Sequence, residues 1–126
     1  MLEISHLDHL VLTVANIERT VTFYQKLGMQ KQTFAGGRIA LSFGKQKINL
    51  HQLGKEFEPK AGCVQVGSAD LCFIIKQPLE VVIDELKQQN IRIEQGIVTR
   101  TGAIGAIRSI YVRDPDNNLI ELSNYL

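Results

Sequence analysis

Apolar and polar positions alternate in short runs that read as strands, separated by two stretches with helical spacing. In residues 7–14, Leu10, Leu12 and Val14 share one face while His9, Val11 and Thr13 share the other. Asn16 is placed to cap a helix over about 17–27, with Ile17, Val21, Tyr24 and Leu27 on one side and Gly28 ending it. Ile39, Leu41 and Phe43 alternate with Arg38, Ala40 and Ser42, a half-buried strand. Gly44-Lys45-Gln46 is a tight turn before a strand over 47–53, and residues 54–67, with Gly54, Pro59, Gly62 and Gly67, read as a linker. The order then recurs. A strand over 69–75 precedes a helix over about 78–89 opened by Pro78, with Leu79, Val82, Ile83 and Leu86 inward. A short strand over 91–98, a clearer one over 107–113, a turn at Asp114-Pro115-Asp116-Asn117-Asn118 and a last strand over 119–124 complete it. Repetition at the level of elements predicts two modules, about 5–54 and 68–126, joined by the linker at about 55–67 within a single domain.

Each module carries two polar residues of one type of chemistry inside its strands: His9 and His51 in the first, Asp70 and Glu121 in the second. Such groups are costly to bury without a partner. One per strand, all able to ligate, they point to a shared divalent metal ion. The repeat pairs His9 with Asp70, and His51 with Glu121. Each strand has an apolar face for its helix and a more polar face for something else, so two modules curled with polar faces inward make an open cup.

Bulk properties narrow the classes. The 126 residues suffice for one domain with a real core. A formal net charge of +1 gives no field favouring nucleic acid or an anionic membrane. No apolar run approaches the roughly 20 residues of a membrane span. The start, Met1-Leu2-Glu3-Ile4-Ser5, lacks the pattern of a signal peptide. Cys63 and Cys72 have no paired-thiol spacing, and Cys72 is expected to be a small buried residue. A cytoplasmic location follows as the expectation.

The strings His6-Leu7-Asp8-His9-Leu10-Val11-Leu12-Thr13-Val14, Thr22-Phe23-Tyr24-Gln25-Lys26-Leu27-Gly28-Met29 and Ser109 to Leu122, with its Asp114-Pro115-Asp116 and Ile120-Glu121-Leu122, resemble the vicinal oxygen chelate superfamily. That group includes glyoxalase I, extradiol dioxygenases and fosfomycin-resistance enzymes. The likeness covers essentially the whole chain. Asn49-Leu50-His51, Gly54 to Ala61 and Arg100 to Ala103 are most similar to the glyoxalase domain-containing protein 5 group, which implies no assigned reaction. The resemblance implies an α+β fold of two βαβββ modules forming curved, cup-like mixed sheets. It also implies ligands on the first and last strand of each module: His9, His51, Asp70 and Glu121. Bacterial glyoxalase I has His, Glu, His, Glu there, so Asp70 and His51 depart from that pattern. The implied assembly is a homodimer with shared sites, His9 and His51 from one chain, Asp70 and Glu121 from the other.

Imidazoles and carboxylates suit one divalent ion per site, Zn²⁺, Ni²⁺, Co²⁺, Fe²⁺ or Mn²⁺, with positions open for a small substrate carrying two neighbouring oxygens. Glu121 is the expected general base of a glyoxalase-type isomerase or lyase. The alternatives are an extradiol-type dioxygenase on Fe²⁺ and a non-catalytic small-molecule binding protein. Fosfomycin-type transfer is disfavoured, because no arginine follows Glu121 in the sequence. By the same resemblance Tyr111 and Ser109 match substrate contacts. Arg38, Arg100 and Arg108 offer cations for an anionic group. The stretch Arg100 to Ala106, with Gly102 and Gly105, is a lid or a plain connector.

Overall fold

Parallel neighbours need a crossover, and each half of the chain supplies one with a helix. The computed structural model describes residues 1–126. Its order is β1 (His9–Val14), α1 (Ile17–Lys26), β2 (Gln30–Phe34), β3 (Arg38–Phe43), β4 (Gln46–Gln52), β5 (Asp70–Ile74), α2 (Leu79–Gln88), β6 (Gln95–Thr101), β7 (Ala106–Arg113) and β8 (Leu119–Tyr125). Two units result, Met1–Val66 and Gly67–Leu126. The sheet of the first runs β1-β4-β3-β2 and that of the second β5-β8-β7-β6. In both, the first and last strands of the unit pair in parallel and the other pairings are antiparallel. This is the α+β, twice-repeated βαβββ arrangement that the sequence predicts. Neither helix is long and apolar enough to cross a membrane.

In the first unit Leu12, Val14, Leu41, Ile48 and Leu50 are buried on one side of the sheet together with Val21 and Tyr24 of α1. In the second, Ile110, Val112, Ile120 and Leu122 are buried with Leu79 and Leu86 of α2. The alternate residues of each strand turn to the opposite, open face.

Both helices are tied to the last strand of their unit by a side-chain amide. Asn16 caps α1 conventionally, accepting the Arg19 N–H at 2.9 Å. In addition Gln52 of β4 accepts the Ile17 N–H at 3.3 Å and donates to the Ala15 carbonyl at 2.6 Å. At α2 the cap position is Pro78, which offers no side-chain bond. Asn124 of β8 replaces it, accepting the Leu79 N–H at 2.9 Å and donating to the carbonyls of Ile75 and Gln77, both at 2.9 Å. Gln52 and Asn124 therefore occupy equivalent places. Counting back along each strand makes His51 equivalent to Ser123 and Asn49 equivalent to Glu121. The ladders agree, with His9 opposite Lys47 and Val11 opposite Asn49, as Asp70 is opposite Leu119 and Cys72 opposite Glu121. The predicted pairing of His51 with Glu121 is therefore corrected.

Two other expectations shift, and one strand is found that the residue pattern does not predict. β2, Gln30–Phe34, is a largely exposed polar strand paired only with β3, so it lacks the alternation that marks a strand in sequence. The strand predicted over 91–98 begins only at Gln95. Asn90 reverses the chain after α2 at φ 58, and Ile91 N–H returns to the Leu86 carbonyl at 2.9 Å, so residues 91–94 are spent leaving the helix. β6 instead runs through Arg100, and the stretch read as a lid or connector is a tight hairpin closed by Gly102 N–H on the Gly105 carbonyl at 2.7 Å. At the start of β6, Gly96 stands where the ladder shifts register, and a Cβ there would collide with the side chain of Ile110.

The predicted turn at 114–118 is a buried polar knot. Asp114 accepts the N–H groups of Asp116 and Asn118 at 2.9 and 3.0 Å, and the Asn118 amide donates to it at 2.8 Å. Asn118 accepts the Ala69 N–H at 2.8 Å, joining the turn to the residue before β5.

Arg108, expected as a substrate cation, faces the helix side of β7. Its guanidinium forms a two-pronged ion pair with Glu80 of α2, one arm at 2.8 Å. Strand parity explains this, because Ser109 and Tyr111 take the open face. The pair holds the Glu80 carboxyl down at about 2, from a usual 4.5. A depressed carboxyl stabilises the fold above its unfolded value and loses that contribution as pH falls through the folded one. The urea midpoint of wild type should exceed that of Glu80→Gln near neutral pH, and the gap should close between pH 4.5 and about 2. A gap that is constant through this window would show that the ion pair adds nothing.

Candidate functional site

The open face of each sheet is organised in rows of residues opposite one another. In the second unit the central row is Cys72, Glu121, Tyr111 and Gln95. Ile74, Ser123, Ser109 and Val98 lie in the row toward the strand ends of β5 and β8, and Asp70, Leu119 and Arg113 in the row on the other side. Glu121 is half-buried. Its Oε2 accepts the Ser109 hydroxyl at 2.6 Å and faces the Ser123 hydroxyl at 3.4 Å. Ser109 and Ser123 lie 2.7 Å apart, and Cys72 Sγ is 3.4 Å from Ser123 Oγ. A hydroxyl has one proton to give. With the Ser109 proton on Glu121, donation runs in one direction, from Cys72 through Ser123 and Ser109 to Oε2. No hydrogen bond within the chain reaches Oε1 of Glu121.

Cys72 is exposed rather than buried, because it lies on the open face. Partial burial pushes its thiol up, the Ser123 hydrogen bond opposes this, and the carboxylates of Glu121 and Asp70 add to the rise. It is therefore a neutral donor at the end of the chain of hydroxyls, not a thiolate nucleophile. Tyr111 accepts from Arg100 Nε at 3.0 Å, and the guanidinium carbon lies 5.6 Å from its ring centroid. Arg113, in Asp70's row, is bound to Glu94 at 3.1 and 3.2 Å. Ser109 is fully buried and its hydroxyl donates to Glu121.

In the first unit the central row is Val11, Asn49, Ala40 and Gln32. Asn49 fills the place that Glu121 fills in the second. Its Oδ1 is buried and has no hydrogen-bond partner. His9 stands one row out, as Asp70 does. Its Nδ1 is bound to Asp8 Oδ2 at 2.7 Å, and that bond holds the Asp8 carboxyl below its usual range. The bond orients the ring and leaves Nε2 as the free nitrogen. His51 stands in the row beyond Asn49, opposite Thr13; it is buried, 8 % exposed, and its ring meets Phe57 edge-on at 5.6 Å. Arg38 lies on the same Phe57, its guanidinium carbon 3.9 Å from the ring centroid.

The sequence-predicted ligands thus divide. Glu121 with Asp70 stand on the open face of one unit, and His9 with Asn49 hold the equivalent positions in the other, while His51 belongs to a separate cluster with Arg38 and Phe57. No three ligand-type side chains gather within the chain. The residue pattern marks Cys72 as a small buried residue and gives no sign of Asn49, Ser123 or Asp8 as part of a site. The one signal in the sequence that points to Asn49 is the pair of amides, Gln52 and Asn124, that set the phase of the repeat.

No protein-family model matches the chain. The chain is 56 % identical over 124 residues to the glyoxalase domain-containing protein RDO1 of Mycosarcoma maydis, covering 98 % of this chain and 70 % of that one. It is also 56 % identical over 124 residues to virulence protein STM3117 of Salmonella typhimurium, covering 98 % of this chain and 86 % of the other. Among solved structures, an integron cassette protein from the mobile metagenome of V. cholerae is 61 % identical with a TM-score of 0.97, over 100 % of this chain and 99 % of that one. A lactoylglutathione lyase from Agrobacterium tumefaciens is 20 % identical with a TM-score of 0.73 over 97 % and 95 %, which shows a shared fold. With two units of the same topology and relatives identical over more than half of their aligned residues, the chain belongs to the glyoxalase-domain family of the vicinal oxygen chelate superfamily.

Proposed function

We propose that this chain binds a divalent metal ion and acts as a glyoxalase-type isomerase or lyase on a small substrate with two neighbouring oxygens. The observation that carries the reading is the state of Glu121. One of its oxygens is pinned by the Ser109 hydroxyl, which Ser123 backs, and the other is unengaged, as a base needs to be if it is to meet a substrate proton in a fixed direction.

The donor set fits a metal ion when taken as two half-sites. His9 keeps Nε2 open behind its bond to Asp8, Asn49 offers an amide oxygen without a partner, and Asp70 and Glu121 offer carboxylates. Each unit supplies two donors at most, so we propose that a homodimer completes each site with His9 and Asn49 of one chain and Asp70 and Glu121 of the other. One imidazole and three oxygen donors favour Mn²⁺ or Fe²⁺ over thiol-seeking ions. When bound, the ion supplies Lewis-acid stabilisation of charge developing on substrate oxygen. Glu121 would leave the ion to take the proton from one substrate carbon through Oε1 and return it to the neighbouring carbon, while the substrate's hydroxyl proton passes to its adjacent oxygen. The hydroxyl chain keeps the carboxylate from rotating between the two events. Tyr111, beside Glu121 in its row and braced by Arg100, forms the substrate wall. The phase of the repeat weighs against the dioxygenase alternative, since two imidazoles and one carboxylate would have to share a site and the position equivalent to Glu121 is held by Asn49, not His51.

Glu121→Gln is isosteric and leaves the serine contacts possible. In deuterated water with added Mn²⁺, wild type should exchange the carbon-bound proton of 2-hydroxy and 2-oxo compounds, and the variant should lose at least about a hundredfold of that rate. Equal exchange by both proteins would remove Glu121 as the base. Shared sites make a second forecast. Mixing His9→Ala with Glu121→Gln protein, each inactive alone, should restore exchange, because one of the two sites in a mixed dimer then has every residue intact. Activity that never rises on mixing would contradict sharing between chains.

A further inference from the structure

The open face of the first unit holds two cations with no ion-pair partner. Lys47 Nζ lies 3.8 Å from the centroid of the Phe34 ring, and Arg38 lies over Phe57 at 3.9 Å. Arg38 is also the strand partner of Phe34, so both cations flank one aromatic residue. In the second unit Arg108 and Arg113 are paired with carboxylates, while Arg100 is held by Tyr111. Half-buried and seated on ring faces, Arg38 and Lys47 are partly stripped of water and pre-oriented, so an arriving anion meets cations whose conformational freedom is already spent. Between their rows stands Asn49, next to Lys47's row on β4 and opposite the fully buried Ala40. The buried Oδ1 of Asn49 can only accept a hydrogen bond, and nothing in the chain donates one. A buried acceptor left empty costs stability unless a ligand supplies the donor.

We infer that this face is a substrate-recognition subsite for a small hydroxycarboxylate or its phosphorylated counterpart, the anionic group held by Arg38 and Lys47 and the neighbouring hydroxyl donating to Asn49. It rests on the proposed reading only in taking the open face as the side that substrate enters, and it names the substrate class that reading leaves open. A carbonyl oxygen has two lone pairs, so accepting the hydroxyl leaves Asn49 one for a metal ion. Because the subsite lies wholly in the first unit, it requires neither Glu121 nor metal.

The test uses full-length protein kept free of metal by chelation, with binding followed by the amide and aromatic NMR signals of Phe34 and Phe57. Glycolate, acetate and inorganic phosphate are the probes. Wild type should bind glycolate more tightly than acetate. Arg38→Met and Lys47→Met, which keep the aliphatic stems on the rings, should each weaken glycolate and phosphate by about tenfold. Asn49→Ala should bring glycolate down to the level of acetate while sparing acetate. Glu80→Gln, on the helix side of the second unit, should bind all three as wild type does, and because binding to metal-free protein involves no proton transfer, a failure of the proton-transfer reading leaves this result standing. The inference is overturned if wild type binds none of the anions, if removing either cation changes nothing, or if Asn49→Ala keeps the preference for glycolate. Unchanged circular dichroism and denaturation midpoints for the three variants keep misfolding from imitating loss of the site.

Discussion

The parallel pairing of the first and last strand in each unit is the constraint on which everything else depends. It decides which side chains stand level on the open face, and a slip of one residue would turn every one of them inward. Two amides lock that register from the helix side. Gln52 and Asn124 reach from the last strand to the first N–H of the crossover helix, so strand position and helix position are set together. At α2 the lock stands in for a cap that Pro78 cannot provide. The knot of Asp114 and Asn118 adds a further tie, holding the turn before β8 to the residue before β5.

Common architecture has been given different chemistry in the two units. The second places Glu121 and Asp70 on its open face and invests buried hydroxyls in one carboxylate oxygen. The first places an amide where that carboxylate would be and surrounds it with unpaired cations and aromatic rings. On the proposed reading, an acid–base group and a recognition surface stand on equivalent rows of two copies of one scaffold.

Much of this is legible in the residues. Leu10, Leu12 and Val14 against His9, Val11 and Thr13 give the face of β1 directly, and the helical spacing of Leu79, Val82, Ile83 and Leu86 gives α2. β2 is not legible, because Gln30–Phe34 is an exposed edge strand whose composition answers to solvent rather than to a core. The site is half legible. Glu121, Asp70 and His9 can be found as ionisable interruptions of apolar strands. Asn49 cannot, since an uncharged amide in a strand carries no such signal, and His51 draws attention in its place. Phase is the missing knowledge: chemistry picks out residue types, whereas only the ladder says which residues stand level. Arg108 misleads for the same reason, parity having assigned it to the helix before charge could matter.

Isothermal titration of Mn²⁺ into wild type, Asn49→Ala and His51→Ala measures that phase most directly. If the rows define the site, Asn49→Ala weakens the metal by about tenfold or more and His51→Ala leaves it within about twofold. Loss of binding in His51→Ala with affinity intact in Asn49→Ala, or no binding by wild type at all, would contradict the account.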